Sequence, residues 1–332
     1  MMSSAIIVTH RIFPETHALL QKAGDVLVPA GERFSDAELA QLLPSARAVM
    51  VFMPDRVDAA FLKAAPHLSI VAAALKGFDN IDVPACTSRG VWISIVPDLL
   101  TAPTAELAVG LIISLARHLR EADAYVRSGH FTGWTPRFYG MSLQDSVVGL
   151  VGFGAIGQAV AKRLSGFGCR LLYCEERPVA DDVTSGEIEK RPLHALLAES
   201  DIVVLCLPLA ERNVHLLDAS RLAQLAPHAL LINPARGSLV DEDAVADALT
   251  GGRLGGYAAD AFELEDLSRG DRPQRIPPAL LTHPRTLFGA HIGSATVTAR
   301  RAIEARAAEN ILDALNGRTP RDAVNQVQPR PS

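Results

Sequence analysis

The sequence predicts an α/β protein with two Rossmann-like α/β domains, each built on a parallel sheet. Short apolar, β-branched runs alternate with segments of helical periodicity along most of the 332-residue chain. That alternation is typical of parallel strands joined by helices. The chain is also longer than one hydrophobic core usually serves, so we expect two domains.

The first α/β series fills roughly the first hundred residues. The N-terminus runs directly into a strand, without the charged region, long apolar stretch and cleavage site of a secretory leader, so we expect a cytoplasmic protein. The apolar β-branched runs predict strands at residues 6–9, 48–53, 70–74 and 92–96. Helical periodicity predicts helices near residues 14–22, 36–43 and 58–64.

A second α/β series follows a break at residues 97–101. One long helix is predicted over residues 103–127, with Pro103 suited to its first turn. Strands are predicted at residues 147–151, 170–174, 202–207, 229–233 and 256–260. A final amphipathic helix, residues 294–315, is expected to pack back on the first domain. The predicted domains are therefore residues 1–98 plus 295–332, and residues 99–294.

The composition excludes several classes of partner. A formal net charge of -5 provides no basic surface field for nucleic acid or an anionic membrane. The longest apolar stretch, near residues 107–115, is too short to span a bilayer. The four cysteines show neither disulfide nor zinc-ligand spacing, so we expect reduced, buried thiols and no metal site. A small molecule is the expected partner.

A glycine fingerprint predicts dinucleotide binding. It reads Gly152-Phe153-Gly154-Ala155-Ile156-Gly157, between a predicted strand and a predicted helix. Gly152 permits a tight turn, Gly154 lets backbone N–H groups approach a pyrophosphate, and Gly157 allows close helix packing. Glu175 ends the next strand, where a carboxylate binds the ribose hydroxyls and repels a 2′-phosphate, so NAD is the predicted cofactor. Glu176 and Arg177 follow it and leave the ratio of NAD to NADP open.

Three further side chains follow predicted strands and suit hydride transfer on an anionic substrate. Arg236 can bind two oxygens of an anion at once. His291 is a candidate acid or base, and Glu265 can orient its imidazole ring. Considered one at a time, each residue also has an ordinary structural interpretation: Arg236 as a surface arginine, Glu265 as a solvated acid and His291 as a structural histidine.

Together these motifs resemble the D-isomer specific 2-hydroxyacid dehydrogenases over nearly the whole chain. The resemblance rests on the glycine fingerprint, Arg236-Gly237, residues 260–265 and His291-Ile292-Gly293. It implies a substrate-binding domain (residues 1–98 plus 295–332), an NAD-binding domain (residues 99–294), and an active site in the cleft between them. It also implies a homodimer with contacts in the aromatic segment around Trp134. The implied cofactor contacts are Gly152, Gly154, Ala155, Ile156, Gly157, Glu175, Pro208, Ala235, Asp260 and His291.

Within the family, the chain most closely resembles the phosphonate (phosphite) dehydrogenases. The matching stretches are residues 51–58, 74–80, 96–101, 138–140 and 291–295. Hydroxyacid relatives usually carry a small or apolar residue where this chain has Lys76. The resemblance implies Arg236, Glu265 and His291 as catalytic residues. The implied substrate contacts are Lys76, Gly77, Arg236, Met53, Tyr139, Ser294 and Arg300.

The charge of the substrate fits this resemblance. Phosphite is a dianion with three oxygens near neutral pH, so a second cation beside Arg236 is appropriate, and Lys76 supplies one. The predicted reaction is NAD-dependent oxidation of phosphite to phosphate, in which either His291 or Arg300 activates the attacking water. Two alternatives stay open. One is a D-2-hydroxyacid dehydrogenase or 2-ketoacid (glyoxylate or hydroxypyruvate) reductase; the other is a non-enzymatic NAD(H)-sensing protein.

Overall fold

A computed structural model describes residues 5–179 and 188–327. The chain divides into two compact units. Unit 1 comprises Met1–Leu100 with Ala295–Ser332, and unit 2 comprises Thr101–Ser294. The boundaries predicted from the sequence alone fall after residues 98 and 294.

Unit 1 is built on a five-stranded sheet in which every strand pairs in parallel. Its strands are β1 (Ala5–Val8), β2 (Asp25–Leu27), β3 (Ala46–Val51), β4 (Ile70–Ala73) and β5 (Trp92–Ser94). The spatial order is β2-β1-β3-β4-β5, so the chain reverses its direction of travel across the sheet between β1 and β3. Ligands of open parallel sheets bind beyond the carboxyl ends of the strands at such a reversal.

Except for Pro14–Leu20, the described helices of unit 1 begin at side chains that accept hydrogen bonds from their first N–H groups. Ser35 and Glu38 form a capping box at the helix Asp36–Leu42, and Asp58 accepts from two N–H groups of the helix Ala59–Ala64. The final helix buries Ile303, Ala307, Ala308 and Ile311 in one core cluster with residues of β1, β3 and β4. The helices are Pro14–Leu20, Asp36–Leu42, Ala59–Ala64, Val83–Ser88 and Val297–Leu315.

Unit 2 is a doubly wound Rossmann sheet of seven parallel strands. Its strands are β6 (Val147–Val151), β7 (Arg170–Cys174), β8 (Ile188–Lys190), β9 (Ile202–Leu205), β10 (Leu230–Asn233), β11 (Gly256–Ala259) and β12 (Thr286–Phe288). Their order is β12-β11-β10-β9-β6-β7-β8, with the reversal between β6 and β9. Two parallel α/β domains confirm the predicted fold class.

Both faces of the unit 2 sheet are covered. Along β9, Val203 and Leu205 join one buried cluster, while Ile202 and Val204 join another. A strand buried on both faces reads as a continuous apolar run, which is why the sequence signal for β9 is clear. The described residues of the unit form the helices Thr101–Ala116, Leu119–Arg127, Ala155–Leu164, Leu193–Glu199, Ala219–Leu222, Glu242–Thr250 and Pro278–Thr282.

The prediction of a single helix over residues 103–127 was wrong. The helix ends at Ala116, and the next begins at Leu119, with His118 between them in the left-handed region (φ 53°). Arg285 donates to the Leu115 carbonyl (3.1 Å), and the Met141 N–H donates to the Ala116 carbonyl (2.9 Å). Groups distant in sequence therefore take up the carbonyl oxygens that a continuous helix would bond internally.

The cysteines agree only in part with the prediction of buried thiols. Cys86 and Cys206 are buried as expected, but Cys169 and Cys174 are partly exposed; all four are free thiols. Within residues 5–179 and 188–327, no helix has the length and apolar character to cross a membrane.

Candidate active site

The glycine fingerprint lies where β6 and β9 separate, at the reversal point of the unit 2 sheet. Gly152 has φ 92°, and a Cβ there would lie 2.8 Å from the Cys206 carbonyl carbon. A Cβ on Gly157 would lie 2.4 Å from the Gly152 carbonyl oxygen. Both glycines are therefore required by close backbone packing, in addition to any ligand.

Gly154 differs from its two neighbours in the fingerprint because nothing crowds it. It is the N-cap residue of the helix Ala155–Leu164, and a Cβ on it would meet no atom within 4 Å. The first-turn N–H groups of a helix attract anions through their unpaired donors and the helix dipole. Ala155 and Ile156 form that first turn. This uncrowded helix N-terminus fits a dinucleotide pyrophosphate.

Glu175 is held beside the fingerprint by backbone donors. The N–H of Phe153 donates to Oε2 and the N–H of Arg177 donates to Oε1, both at 3.1 Å. Burial disfavours the ionised carboxylate, but these N–H donors outweigh it and lower the pKa of Glu175. The side chain is therefore a fixed anion at the end of β7, the position expected of a ribose-binding acid. Glu176 lies 3.7 Å from the exposed Arg212.

Pro208 and Ala235 follow the next two strands of this sheet. Pro208 is three residues past the end of β9, and its carbonyl accepts from Asn213 Nδ2 at 2.8 Å. Ala235 follows β10, where its N–H donates to Asn233 Oδ1 at 3.1 Å. Because β9 and β10 are parallel neighbours, both residues lie along the same sheet edge as the fingerprint.

Asp260 organises the turn that presents His291. It is only 2 % exposed, and its carboxylate accepts the N–H groups of Ile292 (2.9 Å) and Gly293 (2.7 Å). Its carbonyl accepts the His291 N–H at 2.8 Å. Burial nevertheless raises the pKa of Asp260. His291 adopts φ 57°, an uncommon conformation for a residue other than glycine, and the Asp260 contacts hold it there.

His291 and Glu265 form a direct pair. Nδ1 of the imidazole lies 2.7 Å from Oε2 of Glu265, and the two side chains are 27 % and 28 % exposed. The other carboxylate oxygen accepts the Phe262 N–H at 2.8 Å, which fixes the orientation of Glu265. With Nδ1 engaged by the carboxylate, Nε2 is the ring nitrogen through which His291 can exchange a proton with a substrate.

Arg236 lies in an extended turn directly after β10. Its Nη1 donates to the Ala235 carbonyl (3.0 Å), and its own carbonyl accepts from the buried Asn233 side chain (2.8 Å). A Cβ on Gly237 would lie 1.8 Å from the Phe262 carbonyl carbon. The Arg236-Gly237 pair is therefore a packing unit: the glycine lets the arginine turn approach the backbone that carries Glu265.

In unit 1, Lys76 follows β4 at the same end of the sheet as Met53, which follows β3. Lys76 is half-buried, and this desolvation lowers the pKa of its ammonium group, an effect that the exposed Asp98 partly offsets. The Asn80 side chain donates to the carbonyls of Met53 and Asp55. It thereby ties the Met53 turn to the loop of Lys76 and the half-buried Gly77.

Arg300 approaches the same loop from the final helix. Its Nη1 donates to the Ala74 carbonyl (3.3 Å), and its guanidinium carbon lies 5.5 Å from the centre of the Phe52 ring. Burial lowers the pKa of Arg300, and its acidic neighbour Glu304 is 3.9 Å away. Unit 1 thus carries two partly desolvated cations beside one loop.

Two supporting residues lie outside the set predicted from the sequence. Asn80 and Phe52 were not predicted, although a side-chain amide in a glycine-containing turn is a recognisable signal for the first. Ser294 is half-buried as the last residue of unit 2. Tyr139 is 76 % exposed.

Comparisons with known proteins agree on one family. The sequence profile of the D-isomer specific 2-hydroxyacid dehydrogenase NAD-binding domain matches residues 109–293. A glyoxylate reductase from Thermofilum pendens is 37% identical over 95% of this chain and 93% of its own length. A glyoxylate reductase from Thermococcus onnurineus is 36% identical over 98% and 97%.

Solved structures share the fold over nearly the whole chain. The TT0316 protein from Thermus thermophilus superposes with a TM-score of 0.88 at 34% identity, covering 97% of this chain and 100% of that one. An NADPH-dependent glyoxylate/hydroxypyruvate reductase from Sinorhizobium meliloti, in complex with NADP and malonate, has a TM-score of 0.83 at 29% identity, covering 97% and 96%. The chain is an NAD-binding oxidoreductase that belongs to the D-isomer specific 2-hydroxyacid dehydrogenase family.

Proposed function

We propose that this enzyme oxidises phosphite to phosphate with NAD. The observation that carries the proposal is that two half-buried cations, Lys76 and Arg300, both lie at the loop that follows β4. Desolvating a cation costs free energy, and Asp98 and Glu304 offset only part of that cost, since the pKa values of both cations stay lowered; an anionic ligand would offset more of it. Arg236 in unit 2 adds a third positive charge to the proposed substrate contacts. The resemblance of residues 74–80 to phosphite dehydrogenases supports the same substrate.

The charge of the substrate distinguishes phosphite from a monocarboxylate. A monocarboxylate spreads one negative charge over two oxygens, which one arginine and backbone N–H groups can satisfy. Phosphite carries two charges on three oxygens and has a compact, nearly symmetrical shape. A point charge such as Lys76 suits the third oxygen, while the planar fork of Arg236 suits the other two.

His291 and Glu265 supply the proton chemistry. NAD, held by the glycine fingerprint and Glu175, would supply the acceptor for the hydride of the P–H bond, and water would supply the oxygen that completes the phosphate. His291 removes the water's proton at Nε2, since Nδ1 is engaged by Glu265. Glu265 stabilises the imidazolium that results. Arg236 and Lys76 bind the phosphite oxygens and so orient the P–H bond.

The second candidate is 2-ketoacid reduction, which the names of the relatives favour. Both archaeal relatives are glyoxylate reductases, and the Sinorhizobium enzyme is a glyoxylate/hydroxypyruvate reductase that was crystallised with the dicarboxylate malonate. In that reaction His291 would donate its Nε2 proton to the carbonyl oxygen as the carbon receives a hydride. Arg236 would bind the carboxylate, and Lys76 would have no distinct task.

The deciding experiment compares turnover by NADH absorbance. Purified enzyme is assayed with NAD and phosphite, with NAD and D-lactate or D-glycerate, and with NADH and glyoxylate or hydroxypyruvate. We expect the highest kcat/KM with phosphite. A higher kcat/KM with a 2-ketoacid overturns the proposal in favour of the second candidate. Tight NADH binding without turnover on any of these compounds would support an NAD(H)-sensing protein.

We also propose that the enzyme is a homodimer. The resemblance assigns the dimer contacts to the aromatic segment, where Trp134 is 82 % exposed and Phe131 is 52 % exposed. Large exposed aromatic side chains are enriched in protein interfaces. A sedimentation velocity measurement checks the assembly. The cytoplasmic location stays a prediction from the sequence.

A further inference from the structure

Three buried acids of unit 2 join the segment that follows Arg236 to the segment that carries Glu265. Glu242, Glu263 and Asp266 are 1 %, 5 % and 3 % exposed. Buried carboxylates are rare unless they are paired, so three together call for a physical explanation. None of them belongs to the proposed substrate or cofactor contacts.

Reciprocal hydrogen bonds hold the two segments in register. The Glu263 N–H donates to Glu242 Oε1 (2.9 Å), and the Glu242 N–H donates to Glu263 Oε1 (3.1 Å). The Ser238 N–H donates to Asp266 Oδ2 (2.7 Å). The acids therefore fix residues 237–242 against residues 262–266, and Arg236 and Glu265 lie at or beside the ends of these stretches.

Arg269 and His215 both contact Glu263. Arg269 Nη1 lies 2.8 Å from Glu263 Oε2 and 3.0 Å from Ser238 Oγ. His215 Nε2 lies 2.8 Å from the same Glu263 oxygen. Glu242 Oε2 is buried and makes no hydrogen bond with any described residue. Glu242 is therefore the acid of the network best placed to hold a proton.

The electrostatics agree with that geometry. Burial raises the pKa of Glu242 to about 7, and repulsion by Glu263, Asp266 and Glu265 adds to the effect. Glu265, the partner of His291, thus interacts electrostatically with Glu242. Other charged or titratable groups lie next to Glu242 in the chain or on the segments of its network. They are Asp241, Asp243, Glu263, Glu265, Asp266, Arg269, His215 and Tyr257.

We propose that Glu242 is a positioning residue that holds the Arg236 and Glu265 segments together and sets the charge behind the His291–Glu265 pair. The proposal rests on His291 acting as acid or base in the proposed function, and it holds whether the substrate is phosphite or a 2-ketoacid. Ionised Glu242 adds negative charge near the pair and so favours protonated His291 at higher pH. Neutral Glu242 removes that charge.

The first test is Glu242→Gln, which keeps the shape of the neutral acid and cannot ionise. We expect the rising limb of the pH profile of kcat/KM for the oxidation reaction to move to lower pH, by about half a unit. Asp243→Asn is the matched control, since Asp243 is the next residue on the same helix and is exposed. An unmoved profile in Glu242→Gln, or an equal shift in Asp243→Asn, overturns the proposal.

A second measurement does not depend on turnover. The ring resonances of His291, assigned by their loss in His291→Asn, are titrated by NMR in both proteins. A midpoint at lower pH in Glu242→Gln supports the proposal even if neither phosphite nor a 2-ketoacid is a substrate, and identical midpoints overturn it. If Glu242→Gln does not fold, Glu242→Met replaces it as an uncharged side chain of similar length, with the same direction of shift expected and an unchanged midpoint counting against the proposal.

Discussion

Replacing Lys76 by methionine gives the sharpest test of the proposed substrate. Methionine keeps most of the apolar stem and removes the ammonium charge. An ion pair at a contact distance of about 4 Å is worth about 4 kcal/mol at an effective dielectric constant of about 20. Lys76 is only half-buried, so screening by water and binding by the remaining cations make the loss of binding free energy smaller than this value. A loss of about 2 kcal/mol remains, which is about 30-fold in kcat/KM for phosphite.

The assay measures kcat/KM for phosphite at saturating NAD, with the NAD dissociation constant as a control for folding. Lys63→Met is the matched variant, because Lys63 carries the same charge on an exposed position of the same unit. We expect Lys63→Met to behave as the parent enzyme does. If Lys76→Met also keeps its efficiency with phosphite, the two-cation argument fails and 2-ketoacid reduction becomes the leading function.

The lowered pKa of Lys76 adds a prediction about pH. The cation binds phosphite only while it is protonated, so kcat/KM for phosphite should fall as pH rises through that lowered pKa. Arginine keeps its charge at any working pH. Lys76→Arg should therefore recover part of the activity and move this alkaline fall to higher pH. A fall that stays in place would assign it to another group.

The remaining predictions concern proton transfer and the cofactor. His291→Asn should abolish nearly all turnover while NAD still binds, and Glu265→Gln should reduce kcat less and move the pH profile; steady-state kinetics over a pH series checks both. Glu175→Ala should raise kcat/KM with NADP by removing the repulsive carboxylate, and an unchanged preference would show that Glu175 is not the ribose acid. Gly154→Ala should leave the thermal midpoint unchanged, because a Cβ there meets no atom within 4 Å, yet should raise the NAD dissociation constant about 10-fold or more by intruding on the pyrophosphate. Normal NAD affinity in that variant would show that the pyrophosphate does not bind at Gly154.

The sequence by itself determined the fold class and the positions of the candidate residues along the chain. Strands such as β6 and β9 are buried on both faces and read as continuous apolar runs, so their positions follow from local pattern. The residues after parallel strands collect at one sheet edge, which is why the strand pattern alone assigns Gly152 and Arg236 to one edge. Their roles in binding and catalysis stay predictions.

Only the tertiary structure decided which groups satisfy one another. The helix break at His118 depends on Arg285, far along the chain, and the three-residue edge strands β2, β8 and β12 are defined by their pairing with β1, β7 and β11. Asp260 holds the His291 turn through backbone N–H groups that any residue other than proline could supply. The buried pairing of Glu242 with Glu263 likewise has no local pattern, because hydrogen bonds between segments distant in sequence depend on the packing of the whole unit.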